Sequence, residues 1–162
     1  MINLKKNFFN FFIFFLLLLF PIFNNAKEIL IYADNITYDE NENIIARGNA
    51  KIFQDNQLII SDLIIYNKKS EKIILPGDFT LKDSNDNFFN GSNGHFSNNL
   101  KFAEFENPKI RLNDGSRIIG DKIKRSNNID IITKGVYSPC KSRIIIGNFV
   151  CPMWQLEGEK IL

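Results

Sequence analysis

The 162-residue sequence contains only one histidine, one tryptophan and two cysteines. A single histidine with no cluster of cysteines or carboxylates does not supply a zinc site, so we expect His95 to be structural or surface-exposed. The sequence also lacks a nucleophile elbow, a phosphate-binding loop and a dinucleotide-binding motif. We therefore expect a protein that is not an enzyme, with no catalytic residues, no metal and no cofactor.

The charge balance excludes a second class of function. The whole chain has 20 basic and 18 acidic residues, and the segment 1–26 holds two of the lysines and no acid. The remainder is therefore formally neutral, with the two signs interspersed. Such a chain lacks the basic excess of a nucleic-acid-binding protein, so we expect no nucleic-acid partner.

The segment 1–26 has the layout of a secretory signal peptide. Two lysines precede an apolar run from Phe8 to Phe23, and Ala26 is a small residue at which a signal peptidase could cut. An uncleaved anchor needs about 20 apolar residues, and this run is shorter. We predict a signal peptide at 1–26 and one exported domain at 27–162, which is long enough for a single core.

The predicted domain reads as β-strands joined by tight turns. Apolar residues alternate with polar ones, as in Ile44, Ala46, Gly48, Ala50 and Ile52, and a period of two predicts half-buried strands. The segments 39–43, 83–87 and 113–116 are rich in Asn, Asp and Gly, which suit hairpin turns. No helical pattern is sustained after the signal, so the fold class is all-β.

Weak repeats run through the domain. Asp34 recurs as Asp62 and as Asp121, and Gly48 recurs as Gly77. These spacings fit a period of about 29 residues or its multiple, and such a period is typical of stacked supersecondary units. Because the aspartates recur at repeat positions, we expect them to cap turns or strand ends, since acid–base catalysis needs two unequal carboxylates in one cleft.

Two sheets with one apolar face each must cover those faces. The small residues inside the strands predict either a tight sandwich, filled by large residues opposite, or an open V with a groove, and the pattern does not choose between them. Strand parity assigns ten positions to the interior. These are Ile44, Ile52, Ile60, Tyr66, Ile73, Leu75, Phe79, Leu81, Phe102 and Ile131.

The pattern Ala-Asp-x-Ile-x-Tyr-Asp at 33–39, followed by Ala-Arg-Gly-Asn-Ala at 46–50, resembles the OstA-like repeat of lipopolysaccharide-export proteins. The ending, a tyrosine, then Cys140, then Trp154 and an alternating strand, is similar to the end of the N-terminal periplasmic domain of the outer-membrane LptD family. The resemblance covers about residues 29–162.

This resemblance implies a V-shaped antiparallel β-jellyroll whose apolar interior receives the acyl chains of lipid A. The ten interior positions would then be lipid-binding residues, and the chain would act at the periplasmic face of the outer membrane. It also implies strand addition by the periplasmic bridge protein LptA. The accepting edge would consist of Ile29, Leu30, Ile31, Tyr32 and Ala33.

Members of that family continue into a barrel, which binds the lipoprotein LptE. No barrel segment follows in this sequence, so we expect either a fragment or a stand-alone module. The alternatives are a stand-alone bridge or anchor protein of the same pathway, similar to LptA or LptC, and a structural β-repeat protein with a filled core.

Both cysteines are disulfide candidates, because an exported protein meets an oxidising compartment. A Cys140–Cys151 bond would staple a local hairpin. The family resemblance implies instead that Cys140 pairs with cysteines of the barrel. Connectivity does not follow from sequence, and both pairings stay open.

Overall fold

The computed structural model describes residues 29–97, 100–127, 129–139, 145–146, 149–150 and 154–162. These residues form thirteen strands. They are β1 (Leu30–Tyr32), β2 (Asn35–Tyr38), β3 (Asn43–Gln54), β4 (Gln57–Asn67), β5 (Lys72–Lys82), β6 (Phe88–Ser97), β7 (Phe102–Arg111), β8 (Arg117–Ile119), β9 (Lys122–Ser126), β10 (Ile129–Ser138), β11 (Ile145–Ile146), β12 (Phe149–Val150) and β13 (Leu156–Ile161).

Eleven of the strands form one antiparallel sheet, in the order β1-β3-β4-β5-β6-β7-β8-β10-β13. The short strand β2 pairs with β3, and β9 pairs with both β7 and β10, while β11 and β12 form a separate hairpin. The prediction of an all-β antiparallel fold is confirmed. In the described residues no helix has the length and hydropathy needed to cross a membrane. The predicted signal peptide lies outside those residues, as do Cys140 and Cys151.

The long strands bend in the middle, and this bend makes two layers out of one sheet. The pairing register shifts within β3, β4, β5 and β6, and the shift in β3 falls between Arg47 and Ala50. Gly48 and Asn49 have φ angles of 74° and 47° there. A β-bulge of this kind turns a strand sharply.

The pairing of the short strands β1 and β2 shows the division of the sheet into two layers most directly. Strand β1 pairs with Lys51–Phe53 of β3, and β2 pairs with Ile44–Arg47 of the same strand. We call the part of the sheet that contains β1 and β8 the first layer, and the part that contains β2 and β9 the second layer. Each of β3, β4, β5, β6, β7 and β10 contributes one half to each layer.

The repeated aspartates Asp34 and Asp121 lie where the chain passes from the first layer to the second. Asp34 lies between β1 and β2, and its carboxylate accepts a hydrogen bond from Asn49 at 2.9 Å. Asp121 lies between β8 and β9 and pairs with Lys134 at 3.0 Å. Asn49 and Lys134 both have a φ of 47°. Asp34 and Asp121 therefore lie at strand ends as predicted, whereas Asp62 lies inside β4, so the prediction was wrong for Asp62.

Two of the predicted turns are built alike. The Asp39 carboxylate accepts hydrogen bonds from the backbone N–H groups of Asn41 (2.8 Å) and Asn43 (2.9 Å) and from the Asn43 side chain (2.6 Å). Asp83 does the same for Asn85 and Asn87. An aspartate that binds the backbone of its own turn fixes the hairpin register.

Hydrogen bonds from Asn43 lower the pKa of Asp39 below that of an ordinary aspartate. The Asp39 carboxylate therefore stabilises the turn fully at pH values above the ordinary pKa of an aspartate. This stabilisation is lost as the pH falls through the lower pKa of Asp39 in the folded protein. We expect Asn43→Ala to raise the pKa of Asp39, measured by NMR titration of its carboxyl group. Asn41→Ala is the control, because Asn41 donates to Asp39 from its backbone. An unchanged Asp39 titration in Asn43→Ala would contradict this account.

Candidate functional site

The inward faces of the two layers form a continuous apolar interior. Cross-strand pairs place Ile52, Ile59 and Leu81 of the first layer in one row, and this row runs on to Phe89 and Ile110. All five side chains are buried. The second layer contributes the buried residues Ala46, Ile64, Tyr66, Ile73, Phe96, Ala103, Phe105, Ile123 and Ile132.

A cluster of three phenylalanines fills the middle of this interior. Phe79 of the first layer meets Phe96 and Phe105 of the second layer edge-on, at centroid distances of 5.4 and 5.1 Å. The rings lie over Gly91 and Gly94, where a Cβ atom would collide with them. Large residues opposite small ones therefore fill this part, as the tight-sandwich alternative predicts.

An open cavity remains beside this filled part. Its volume is about 520 Å³, and it lies between the hairpin ends of the two layers. The floor is apolar and the rim is polar. The floor is made by Phe89, Leu100, Ile110, Leu112, Ile118, Ile132 and Ile161, and the rim by Gln57, Asp83, Asn85, Asn87, Lys101, Arg125, Asn127 and Asp130. We refer to this space as the interlayer cavity.

One ion pair lies on the inward face at the cavity. Arg125 and Asp130 are directly opposite on β9 and β10, and the guanidinium binds both carboxylate oxygens, at 2.6 and 2.7 Å. The Arg125 guanidinium also lies 4.9 Å from the ring centre of Phe89 in the first layer. Hydrogen bonding to Asp130 raises the pKa of Arg125, with a weaker contribution from Asp83. The cavity rim therefore carries a bidentate ion pair, and the contact of Arg125 with Phe89 connects the two layers.

Of the ten predicted interior residues, seven face inward. Six are buried, and Ile44 is half-buried against the core. The buried six are Ile52, Tyr66, Ile73, Leu75, Phe79 and Leu81. Burial also raises the pKa of Tyr66, so its phenol stays neutral. Their contact with lipid remains a prediction.

Three of the ten predicted positions face outward, so their interior placement was wrong. Ile60 and Phe102 are 38% and 39% exposed, while their neighbours Ile59 and Ala103 are buried. Ile131 pairs with Lys124 on the outer face of β9. Each of these strands changes parity at its bend, so a strict period of two gives the wrong face on one side of it.

Sequence reasoning missed Phe89, Ile110 and Arg125, which line the cavity. Phe89 and Ile110 lie across from one another on β6 and β7, strands whose parity also changes at the bend. In the sequence, Arg125 cannot be distinguished from the exposed basic residues beside it. Its inward orientation becomes evident only when β9 is paired with β10, which places Asp130 opposite it.

The predicted partner edge lies at one end of the sheet. Within the described residues β1 pairs only with β3, so the outer edge of Leu30–Tyr32 carries backbone groups without strand partners. Ile29, Ile31 and Ala33 pack on the core, while Leu30 and Tyr32 are exposed. Strand β13 forms the opposite end of the sheet. Binding of another protein to β1 remains a prediction.

The geometry defines a bent antiparallel β-jellyroll with a cavity between its layers. The chain is similar to the solved structure of LptH from Pseudomonas aeruginosa, with a TM-score of 0.57 over 86% of this chain and 97% of that one. LptH is described as the LptA-homologous periplasmic component of the conserved lipopolysaccharide transport device. The sequence identity is 14%, so the match shows the fold. No family model and no curated protein matches the sequence.

Proposed function

We propose that the chain is a non-enzymatic periplasmic component of lipopolysaccharide transport, of the LptA and LptH type. The observation that carries this proposal is the correspondence of the jellyroll to nearly the whole of LptH. The interlayer cavity adds a site with an apolar floor and a polar rim. Such a site suits an amphiphile, because acyl chains gain free energy by leaving water while charged groups keep polar contacts.

In this function the interior shields acyl chains, and the rim holds the charged part of lipid A. The described rim contains two cations, Lys101 and Arg125, and two carboxylates, Asp83 and Asp130. The Nε and Nη2 groups of Arg125 bind Asp130, so a phosphate would be bound through the remaining N–H groups of the guanidinium and through Lys101. Binding and release involve no covalent step, so no catalytic group is required.

The two sheet ends would connect neighbouring molecules of the pathway. A partner strand added to β1 would extend both the hydrogen-bonded ladder and the interior beneath it. The sheet leaves β1 and β13 at opposite ends, so one molecule could bind a partner at each. This arrangement favours a bridge with LptA-like neighbours.

The finer assignment to the LptD family rests on Cys140, Cys151 and Trp154, and both cysteines lie outside the described residues. The correspondence with LptH supports the bridge assignment more directly, because it spans 97% of that periplasmic protein. The outer-membrane location and the partner LptE belong to the LptD assignment alone.

Photocrosslinking tests the lipid site. A benzophenone amino acid at Ile118, in the cavity floor, is expected to capture purified lipopolysaccharide. The same probe at His95, exposed on the outside of the second layer, is the control and should capture far less. Capture of neighbouring strands only, from Ile118, would contradict transport and favour the structural β-repeat alternative.

A further inference from the structure

The outer face of the first layer carries basic and apolar side chains together. Cross-strand pairing places its five basic residues in two adjacent rows. The first row runs through Lys82, Phe88 and Arg111, and the second runs through Lys51, Ile60 and Lys109. The five are Lys51, Lys82, Lys109, Arg111 and Arg117. From β1 to β8 these two rows contain no acidic residue. Since residues 27–162 are formally neutral, the fold has concentrated positive charge here.

Exposed apolar side chains share these rows. Leu30, Tyr32, Phe53, Ile60 and Ile119 are between 38% and 55% exposed. Tyr32 and Phe53 contact each other edge-on, with their ring centres 5.8 Å apart. Together these basic and apolar residues make up what we call the basic outer face.

A shallow depression of about 420 Å³ lies within the basic outer face, and its lining includes Phe88, Lys109, Arg111 and Ile119. The Arg111 guanidinium lies 4.6 Å from the ring centre of Phe88. Among the described residues, Lys51, Lys109 and Arg111 form no ion pair, whereas Lys82 binds Asp86 at 2.7 Å. At the bend, Asp62 and Asp78 line a second depression that also includes Ile60 and Lys109, so acidic side chains border the basic outer face on that side.

We propose that the basic outer face docks on the surface of an anionic lipid bilayer. Each basic side chain near such a surface contributes electrostatic attraction, and exposed aromatic and aliphatic side chains enter the interfacial region. A sheet face with both features in adjacent rows complements that surface in charge and in polarity. This binding uses the outside of the sheet, so it is independent of the lipid proposed for the interlayer cavity.

Lysine footprinting on the full chain tests the proposal. Vesicles of phosphatidylglycerol and phosphatidylcholine should slow the acetylation of Lys51 and Lys109 severalfold, read by mass spectrometry. Pure phosphatidylcholine vesicles should not. Lys68 and Lys72 are exposed at the β4–β5 turn of the second layer and are internal controls. These two lysines also control for binding through the apolar run at 8–23. That run can attach the chain to a vesicle without bringing the basic outer face to the lipid surface.

The charge requirement is tested by substitution. The double variant Lys109→Gln/Arg111→Gln should reduce the preference for anionic over pure phosphatidylcholine vesicles about thirtyfold, given about a fivefold change for each lost basic side chain. The matched variant Lys68→Gln/Lys72→Gln removes the same charge elsewhere and should bind as the wild type does. Lys51→Gln/Lys109→Gln replaces the first variant if it fails to fold.

Equal protection of all four lysines, or equal weakening in both double variants, would overturn the proposal. Protection of Lys51 and Lys109 by soluble polyglutamate but not by vesicles would also overturn it, and would indicate an acidic protein partner. Failure of the Ile118 crosslink leaves the vesicle result unchanged, so the two proposals can fail separately.

Discussion

Phe79→Ala is expected to lower the free energy of unfolding by about 3–5 kcal/mol, the usual cost of truncating a buried phenylalanine. Phe79 is 4% exposed and touches Phe96 and Phe105 across the layers. Removal of the Phe79 ring leaves a void between the two layers. Because the layers share their long strands, neither layer can move freely to fill this void. Chemical denaturation followed by circular dichroism measures the change.

Phe53→Ala is the matched control for this substitution. Phe53 is 38% exposed on the outside of the first layer, so its truncation should cost less than about 1.5 kcal/mol, since less apolar area is lost. Equal losses in the two variants would show that the three-phenylalanine cluster does not hold the layers together.

Arg125→Ala is expected to destabilise the fold by about 2 kcal/mol, a value between two limiting cases. Removal of one partner from a fully buried pair costs about 3–5 kcal/mol, and exposed pairs contribute about 1 kcal/mol or less. The side chains of Arg125 and Asp130 are 17% and 32% exposed, so the pair lies between these cases. The loss includes the stacking of Arg125 on Phe89.

The double variant Arg125→Met/Asp130→Leu separates charge from packing. Apolar residues of similar size often replace a buried pair without loss, so we expect this variant to recover most of the stability. Lys122→Ala is the control, because its pair with Glu104 is about half exposed and should contribute about 1 kcal/mol or less. A double variant as unstable as Arg125→Ala would contradict this division.

The fold class could be predicted from the sequence because alternation and turn chemistry agree along the chain. The aspartate-led turns at 39–43 and 83–87 lie between strands as expected, and each aspartate binds its own turn. Interior positions were correct throughout β3 and β5. In these strands the inward residues keep the same parity on both sides of the bend.

The remaining interior positions could not be found because a bulge is not visible in hydrophobic alternation. In β4 the buried residues are odd-numbered up to Ser61 and even-numbered from Ile64 onward. The segment Leu58–Ile60 of β4 is apolar at odd and even positions alike, so the sequence gives no local sign that the parity of the buried residues changes. The cavity rim was missed for a similar reason, since an inward-facing arginine looks like a solvent-exposed one until its partner strand is known.

The bend shared by the six long strands has a mechanical consequence. Each long strand runs through both layers, so neither layer can detach from the other along the bend. Opening at an outermost strand, β1 or β13, breaks fewer strand pairings than opening within the sheet, because each of these strands has one neighbour in the strand order. A chain held in this way can widen where its hairpin tips face each other while its hinge line stays intact.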